Sequence, residues 1–589
     1  MLFDASRLSK LVLVVLLFSL EKLGGVPVQC FAGTLNAGTS TSGRRNHFNA
    51  NDNDNNNAIG SRTGMNNNGG IISMTKRQNI RSNKRNQSGI SMVSSVSEGD
   101  QNKNTVDSKN SEELSSIRGG QTQKTIKAFP CGDELDKKLI KIALPCIANF
   151  AINPLVGAVD LFWINRMGNT LAVAGQAAAN QIFTSAFWLT SFLPSVTATL
   201  VAKEKAKGNQ EGVQDAVCQA MIVGTFIAII GSGVVLSMPD TLLSGVLGNA
   251  APAREFARPY LIIRGFGFLP SMYALIGFSS FRGVMDTVTP LKISLFTNLM
   301  NAVLDPILIF TAGMGVTGAA LATLGAELCS AVLFVTLLFK RKMITTSKMF
   351  RMPNVELMKP LLKGGAALQL RNFALNLTFL AVTRVTQSID QTGAAAAAHA
   401  MAIQTFQIGG IVLLALSTVA QFLVPGEMVE KVDEKTGEVS GGPLAARAVV
   451  NRLMSWGLIL GTVLGALQVV LLPNLLKGTP VEEVRQAARI PAILGSIYQC
   501  FNGLVFIGEG VMVGTGSFLQ LSISTLVATM ATLVALKSLP QKFGLTGVWM
   551  SFGVFNILRL AGVAVHQLYN GPLSKRMIAR NMEAEATKI

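Results

Sequence analysis

The stretch NFAINPLVGAVD, residues 149–160, is apolar enough to lie in a bilayer yet ends in an aspartate, and its opening turn returns as NFALN at residues 372–376. An acid inside a hydrophobic helix, and a helix written twice, together decide the fold. Aligned without a gap, residues 149–183 and 372–406 pair Asn149 with Asn372, Asn153 with Asn376, Ala174 with Ala397, Gln181 with Gln404 and Phe183 with Phe406. Further on, GVTGAA at 315–320 matches GLTGVW at 544–549, and RGVMDT at 282–287 matches EGVMVG at 509–514. The chain consists of two similar halves.

Each half is made for a membrane. Soluble chains carry about 25% charged residues; this one carries 14%, with 49% hydrophobic. Crossing the hydrocarbon core takes about 20 apolar residues in a helix. Twelve such runs follow residue 137, at 138–163, 172–201, 214–238, 257–280, 290–312, 317–339, 357–384, 394–424, 448–472, 488–511, 518–538 and 545–568. The predicted fold is all-α and integral to the membrane: twelve transmembrane helices in two six-helix bundles related by pseudo-twofold symmetry. Six is even, so both halves enter from the same side, and sites of transport are expected near the midplane where such repeats meet. The expected divisions are an N-terminal bundle at 137–339, a loop at 340–356, a C-terminal bundle at 357–570 and a tail at 571–589.

Residues 1–30 have the layout of a secretory signal: Arg7 and Lys10, the short apolar run LVLVVLLFSL, then GVPVQC as a small-residue cleavage region. Residues 31–130 are rich in Asn, Ser and Gly, with basic pairs such as Arg44–Arg45 and Lys84–Arg85, and have too little apolar surface to order themselves. Basic residues recur before the first run (Lys137, Lys138, Lys141), between runs two and three (Lys203, Lys205, Lys207), between six and seven (Lys340, Arg341, Lys342) and after the twelfth (Lys575, Arg576, Arg580). All of these fall on one side, which marks both termini as inside. A cleaved signal alone would leave the mature N-terminus in the secretory lumen. Onward import into a plastid removes that conflict, so a plastid envelope is the favoured location, with the plasma membrane or another endomembrane as the alternative. The step from signal to tail, with Phe31 directly after the cut, resembles the bipartite plastid-targeting presequence of diatoms and related algae.

The net charge of +18 is mostly accounted for by this tail and by the inside loops, so nucleic acid is not an expected partner. The cysteines (Cys30, Cys131, Cys146, Cys218, Cys329, Cys500) are scattered without metal-ligand spacing and read as small packing residues. The chain has no HExxH, nucleophile elbow or pair of histidines on one helix face, so an enzyme is excluded and no cofactor is expected.

Ionisable groups within a span cost about 2.5–3.5 kcal/mol each and usually mark a pathway. Asn149, Asn153, Val156 and Asp160 follow a 4-3-4 spacing and share one stripe of the first span; the second half repeats the asparagines as Asn372 and Asn376 but has Thr383 in place of the acid. Asn298, Asn301 and Asp305 make a second stripe in the fifth span, directly before Pro306, which lacks a backbone donor. Two nearby carboxylates with amide oxygens suit a proton or a small cation such as sodium, the proton being favoured. Glu509 stands where the first half has Arg282 and is a candidate for an interhelical ion pair; Glu327 has no assigned role, and His399 is expected to pack rather than titrate. Arg264, Arg371, Arg384 and Arg559 either neutralise acids or snorkel. If Arg371 or Arg384 faces the central cavity, it favours an organic anion through bidentate carboxylate contacts.

The run FRGVMDTVTPL, then NLMNAVLDPILIF, then GVTGAALATLGAE, at 281–327, strongly resembles the multidrug and toxic compound extrusion (MATE) family, in particular its DinF-like branch. The resemblance covers roughly residues 137–570 and implies twelve helices in two bundles with alternating access driven by protons or sodium. It also implies a cation site in the N-terminal bundle formed by Asp160, Asn301, Asp305 and Thr323. Asn153, Gln181, Asn298, Arg371, Arg384 and Gln404 are the candidates for the substrate cavity. The expected function is a secondary antiporter, a monomer in the lipid bilayer, exporting a small organic compound in exchange for protons or sodium. Plant relatives in this branch export citrate or carry aromatic acids, which favours an organic anion. The alternatives are drug-cation extrusion and flipping of a lipid-linked oligosaccharide.

Overall fold

A backbone in hydrocarbon must satisfy its own hydrogen bonds, which leaves helices as the means of crossing for a chain patterned like this one. In the computed structural model, the described residues are 127–586 apart from 189, 191, 248–250, 350–354, 391–392, 433–438 and 478–480. The signal and nearly all of the polar tail expected at 1–130 lie outside them.

Twelve spans follow. Span 1 is Glu134–Asn165, span 2 is Thr170–Trp188 with Phe192–Ala206, span 3 is Gln210–Ser237, and span 4 is Arg254–Gly265 with Phe268–Gly283. Span 5 is Val288–Pro306, continued by a π-helical turn at Ile307–Thr311, and span 6 is Gly315–Lys340. The second half gives span 7 at Val355–Gln387, span 8 at Ala394–Glu427, span 9 at Gly442–Lys477 and span 10 at Glu482–Gly514. Spans 11 and 12 share Phe518–Val565 and part at Gly544, whose φ of 53° and ψ of −133° break the helix. A two-residue hairpin, Lys431–Val432 against Val439–Ser440, sits between spans 8 and 9. Eight helices meet the length and hydropathy of a crossing unaided, and the two pieces of span 4, bent by 53°, make a ninth. The rest is explained by span 12 being joined to span 11, by the break in span 2, and by the charges of span 7 (Lys359, Lys363, Arg371, Arg384).

The motif FRGVMDTVTPL proves to be turn chemistry. Span 4 stops at Gly283, Met285 takes a left-handed φ of 64°, and Asp286 accepts from the Thr289 N–H (3.0 Å) and hydroxyl (2.7 Å), starting span 5. Pro290 sits in the first turn of span 5, where a missing N–H costs nothing.

Contacts between loops identify the inside end. Gln210 and Gln214 donate to the Lys342 carbonyl, Lys138 pairs with Glu427 at 2.6 Å, and Arg447 donates to the carbonyls of Gln567 and Leu573. The basic loops are thus gathered on one face, as the charge pattern predicts. At that end the two lobes share their hydrophobic core. Leu139, Ile142, Cys146 and Ala198 pack in one cluster with Val412, Val419 and Leu423 of span 8 and Val449 of span 9. Leu193 and Val196 cluster with Leu361, Leu368 and Leu521. Toward the other end the cores separate: Ile164, Phe183, Tyr260 and Phe268 form one within the first lobe, and Phe406, Trp549, Phe552 and Phe555 form another within the second. Lobes joined inside and parted outside make an outward-facing arrangement.

Lipid tails are as apolar as leucine, so helices associate through close packing and polar ties. Gly457, Gly461 and Gly465 line the face of span 9 that meets span 10. A Cβ at Gly503 of span 10 would collide with the Gly457 carbonyl, and one at Gly461 with the Gln499 carbonyl. Gly503→Leu should therefore separate spans 9 and 10 and lower the melting temperature in detergent by many degrees. Gly410→Ala, where an added Cβ meets nothing within 4 Å, should instead raise stability by about 0.5–1 kcal/mol through helix propensity.

Candidate functional site

Span 1 and span 5 lie side by side in the first lobe, and their polar stripes meet. The Asn301 amide donates to Asp160 Oδ1 at 2.9 Å and to Asp305 Oδ2 at 3.0 Å, so one side chain spans two acids from different helices. Two carboxylates gathered on one amide donor call for a proton or a cation to balance them. Asp305 is 0% exposed and Asn301 2%, whereas Asp160 is partly exposed. Asp305 Oδ1 has no hydrogen-bond donor. These residues fit a proton or a small hard cation held by carboxylate oxygens.

Around the pair is a buried polar network that the sequence stripes did not reveal. Tyr260 donates to Asn180 Oδ1 at 3.1 Å. Arg264 pairs with Glu327 at 2.8 Å and stacks 4.0 Å over the Phe183 ring. The bend of span 4 makes room for this pair, because a Cβ at Gly267 would stand 2.5 Å from Glu327 Oε2. Glu327 is thereby explained as the counter-charge of Arg264.

The remaining candidates are placed as follows. Thr323 donates to the Ala319 carbonyl of its own helix at 3.0 Å, and that bond does not link it to the carboxylates. Asn298 and Gln404 are partly buried, and Gln181 bonds with Ser185 one turn along. The Asn153 side chain lies outside the described residues. Arg384 is exposed near the outer end of span 7. His399 is buried among aromatic rings, 5.8 Å from Trp549.

The second lobe holds a different centre. Glu509 of span 10 receives Arg559 of span 12 twice, at 2.7 and 2.9 Å, and also Arg371 of span 7. Arg371 is not a free cavity arginine: one of its nitrogens is committed to Glu509, while its side chain stays 20% exposed. Two guanidinium groups share one carboxylate, so this centre has a surplus positive charge where the first lobe has a surplus of acid. Arg282, at the repeat position of Glu509, lies instead over the Phe278 ring at 4.4 Å.

Residues 145–307, which contain Asp160, Asn301 and Asp305, match the family model MatE. This stretch of the chain resembles the MATE family. Among similar proteins is Protein DETOXIFICATION 44, chloroplastic, of Arabidopsis thaliana, 28% identical over 451 residues that cover 74% of this chain and 83% of the relative. Protein DETOXIFICATION 45, chloroplastic, of the same plant is 26% identical, covering 74% and 80%. A solved structure described as MATE in the bent conformation superimposes with a TM-score of 0.65 at 17% identity, covering 77% of this chain and 97% of that one. The chain is accordingly a multi-pass membrane protein of twelve helices with the fold of the solved MATE structures.

Charge accounting within the two centres predicts opposite effects of neutralising an acid. Glu509→Gln leaves two buried arginines without a counter-charge and should cost about 3–5 kcal/mol, lowering the melting temperature sharply. Asp305→Asn relieves two crowded acids and should leave the melting temperature of the purified protein unchanged or slightly higher.

Proposed function

We propose that this protein is a MATE-type, proton-coupled antiporter that exports an organic anion of the citrate or aromatic-acid type across a plastid envelope. The carboxylate pair bridged by Asn301 is the observation that carries the coupling. In this reading the proton enters from outside at Asp160 and is shared with Asp305. Sharing removes the repulsion between the two acids, which changes how tightly span 1 is held against span 5. Substrate and proton must favour different arrangements of the lobes, since a ligand with equal affinity for both shifts nothing. Release of substrate outside then follows proton uptake, and reopening to the inside discharges the proton.

An anionic cargo is supported by the surplus positive charge of the Arg371–Glu509–Arg559 centre and by the exposed Arg384 in the second lobe. The partly exposed edge of Arg371 and the Arg384 guanidinium suit carboxylate groups. The plastid location is supported by the presequence-like N-terminus, the one-sided basic loops and the chloroplastic relatives. Sodium would find the same oxygens, and a single copy contains every group the cycle uses.

The test uses protein in liposomes loaded with a pH-sensitive dye, with citrate, salicylate and a lipophilic drug cation added separately. Citrate or salicylate should move protons, and Asp305→Asn should abolish the signal while the protein stays folded. Full gradient-driven activity in that variant would sink the mechanism. A response to the drug cation alone would retain coupling and reassign the cargo, and transport restored only by sodium would change the ion.

A further inference from the structure

We propose that Arg452, with Asp133 and Asp136, forms a clasp that fastens the foot of span 1 to the opposite lobe and holds the inside closed while the outside is open. This rests on the alternating-access reading above. Arg452 belongs to span 9 and is 0% exposed. Its Nη1 and Nη2 reach both oxygens of Asp133 at 3.0 and 2.9 Å, Nη1 also reaches Asp136 at 2.7 Å, and Nε donates to the Lys127 carbonyl at 2.9 Å. One turn along span 9, the Trp456 ring N–H donates to Asp136 at 2.9 Å. The backbone N–H groups of Cys131 and Gly132 complete the Asp136 carboxylate, each at 2.8 Å. No guanidinium nitrogen is idle, which is the condition for a desolvated ion pair to hold rather than weaken a contact.

The contact is crossed. Span 1 belongs to the first lobe, yet its foot is bound to the second. The reciprocal contact, the foot of span 7 on span 3, places Leu361 in an apolar cluster with Val213 and Val217. Span 1 thus has polar ties toward both ends: Arg452 at its foot, and Asn301 at Asp160, about 36 Å further along at 1.5 Å per residue. A change in proton occupancy at the upper tie acts on a helix whose lower end belongs to the other lobe, so Arg452 is a positioning residue for the transport cycle. The clasp has no pH sensitivity of its own. The hydrogen bond from Arg452 holds the Asp133 carboxyl down to about 2, so it remains ionised at any pH a plastid offers.

Cys146 is a native reporter, 4% exposed in the core that the lobes share at the inside end. In full-length protein with the other cysteines replaced by serine, N-ethylmaleimide should alkylate Cys146 slowly. Arg452→Gln should raise that rate by about tenfold or more, because truncating one partner of a buried charge pair loosens the contact it holds. Arg452→Lys should fall between the two. Asp133→Asn, which leaves Asp136 paired and buries no lone charge, should shift the rate in the same direction and decides the matter if Arg452→Gln fails to fold. A parallel protein keeping only Cys500, packed between spans 9 and 10 of one lobe, should show no change. Rates at Cys146 that stay constant in the folded variants, or that rise together with Cys500, would overturn the clasp. Because alkylation needs no substrate, that outcome is distinct from failure of the proton-transport assay.

Discussion

A charge inside a bilayer needs a counter-charge or a proton, and this one requirement organises the protein. Three centres among the described residues show how the chain meets it. Arg264 and Glu327 neutralise each other and brace the bend of span 4. Arg371 and Arg559 divide Glu509 between them and tie three helices of the second lobe together. Asp160 and Asp305 have no arginine in contact, only the Asn301 amide between them, and so remain open to a mobile cation. The first two arrangements are fixed; the third can change state. That difference separates a structural centre from a candidate coupling centre without appeal to position in the chain.

The duplicated scaffold makes the asymmetry meaningful. Two halves with the same helix order begin with the same NFA turn, yet one stripe continues to an acid and the other to Thr383. In the second lobe, spans 7 and 11 are instead joined by hydroxyls: Thr378 donates to Thr529 at 2.9 Å and Thr529 to the Ala374 carbonyl at 3.1 Å. Such bonds satisfy their helices locally and have no exchangeable charge. One lobe is thereby suited to bind an ion and the other to present positive charge. A transporter needs lobes that respond differently if ion and substrate are to oppose each other.

Much of this was legible in the sequence, for physical reasons that can be named. Span number and sidedness follow from apolar run length and loop charge, both set by the bilayer, and the twelve expected runs coincide with the twelve spans to within a few residues. Gly544 was less legible: it breaks what otherwise runs on from span 11 into span 12. The meeting of Asp160 with Asn301 and Asp305 could be suspected from two helical stripes, because helical periodicity reports which residues share a face. Periodicity does not report which helices are neighbours. For that reason Glu509 had a candidate role but no partner, Arg371 was read as a cavity residue, and Glu327 was left without a role. The acids at 133 and 136 and the arginine at 452 are more than three hundred residues apart, and only the seating of the foot of span 1 against the second lobe, within reach of Arg452 and Trp456, brings them together.

The central claim is that proton occupancy of the Asp160–Asp305 pair sets the arrangement of the lobes. It is tested most directly by the distance across the outer mouth as a function of pH. Spin labels at Asn165→Cys and Ser388→Cys, at the outer ends of spans 1 and 7 and both exposed, would report it in a background without the native cysteines. The account predicts that lowering the pH populates a shorter outer distance in the otherwise native protein and that Asp305→Asn abolishes this response. A distance distribution that ignores pH, or one that responds equally with and without Asp305, would contradict it.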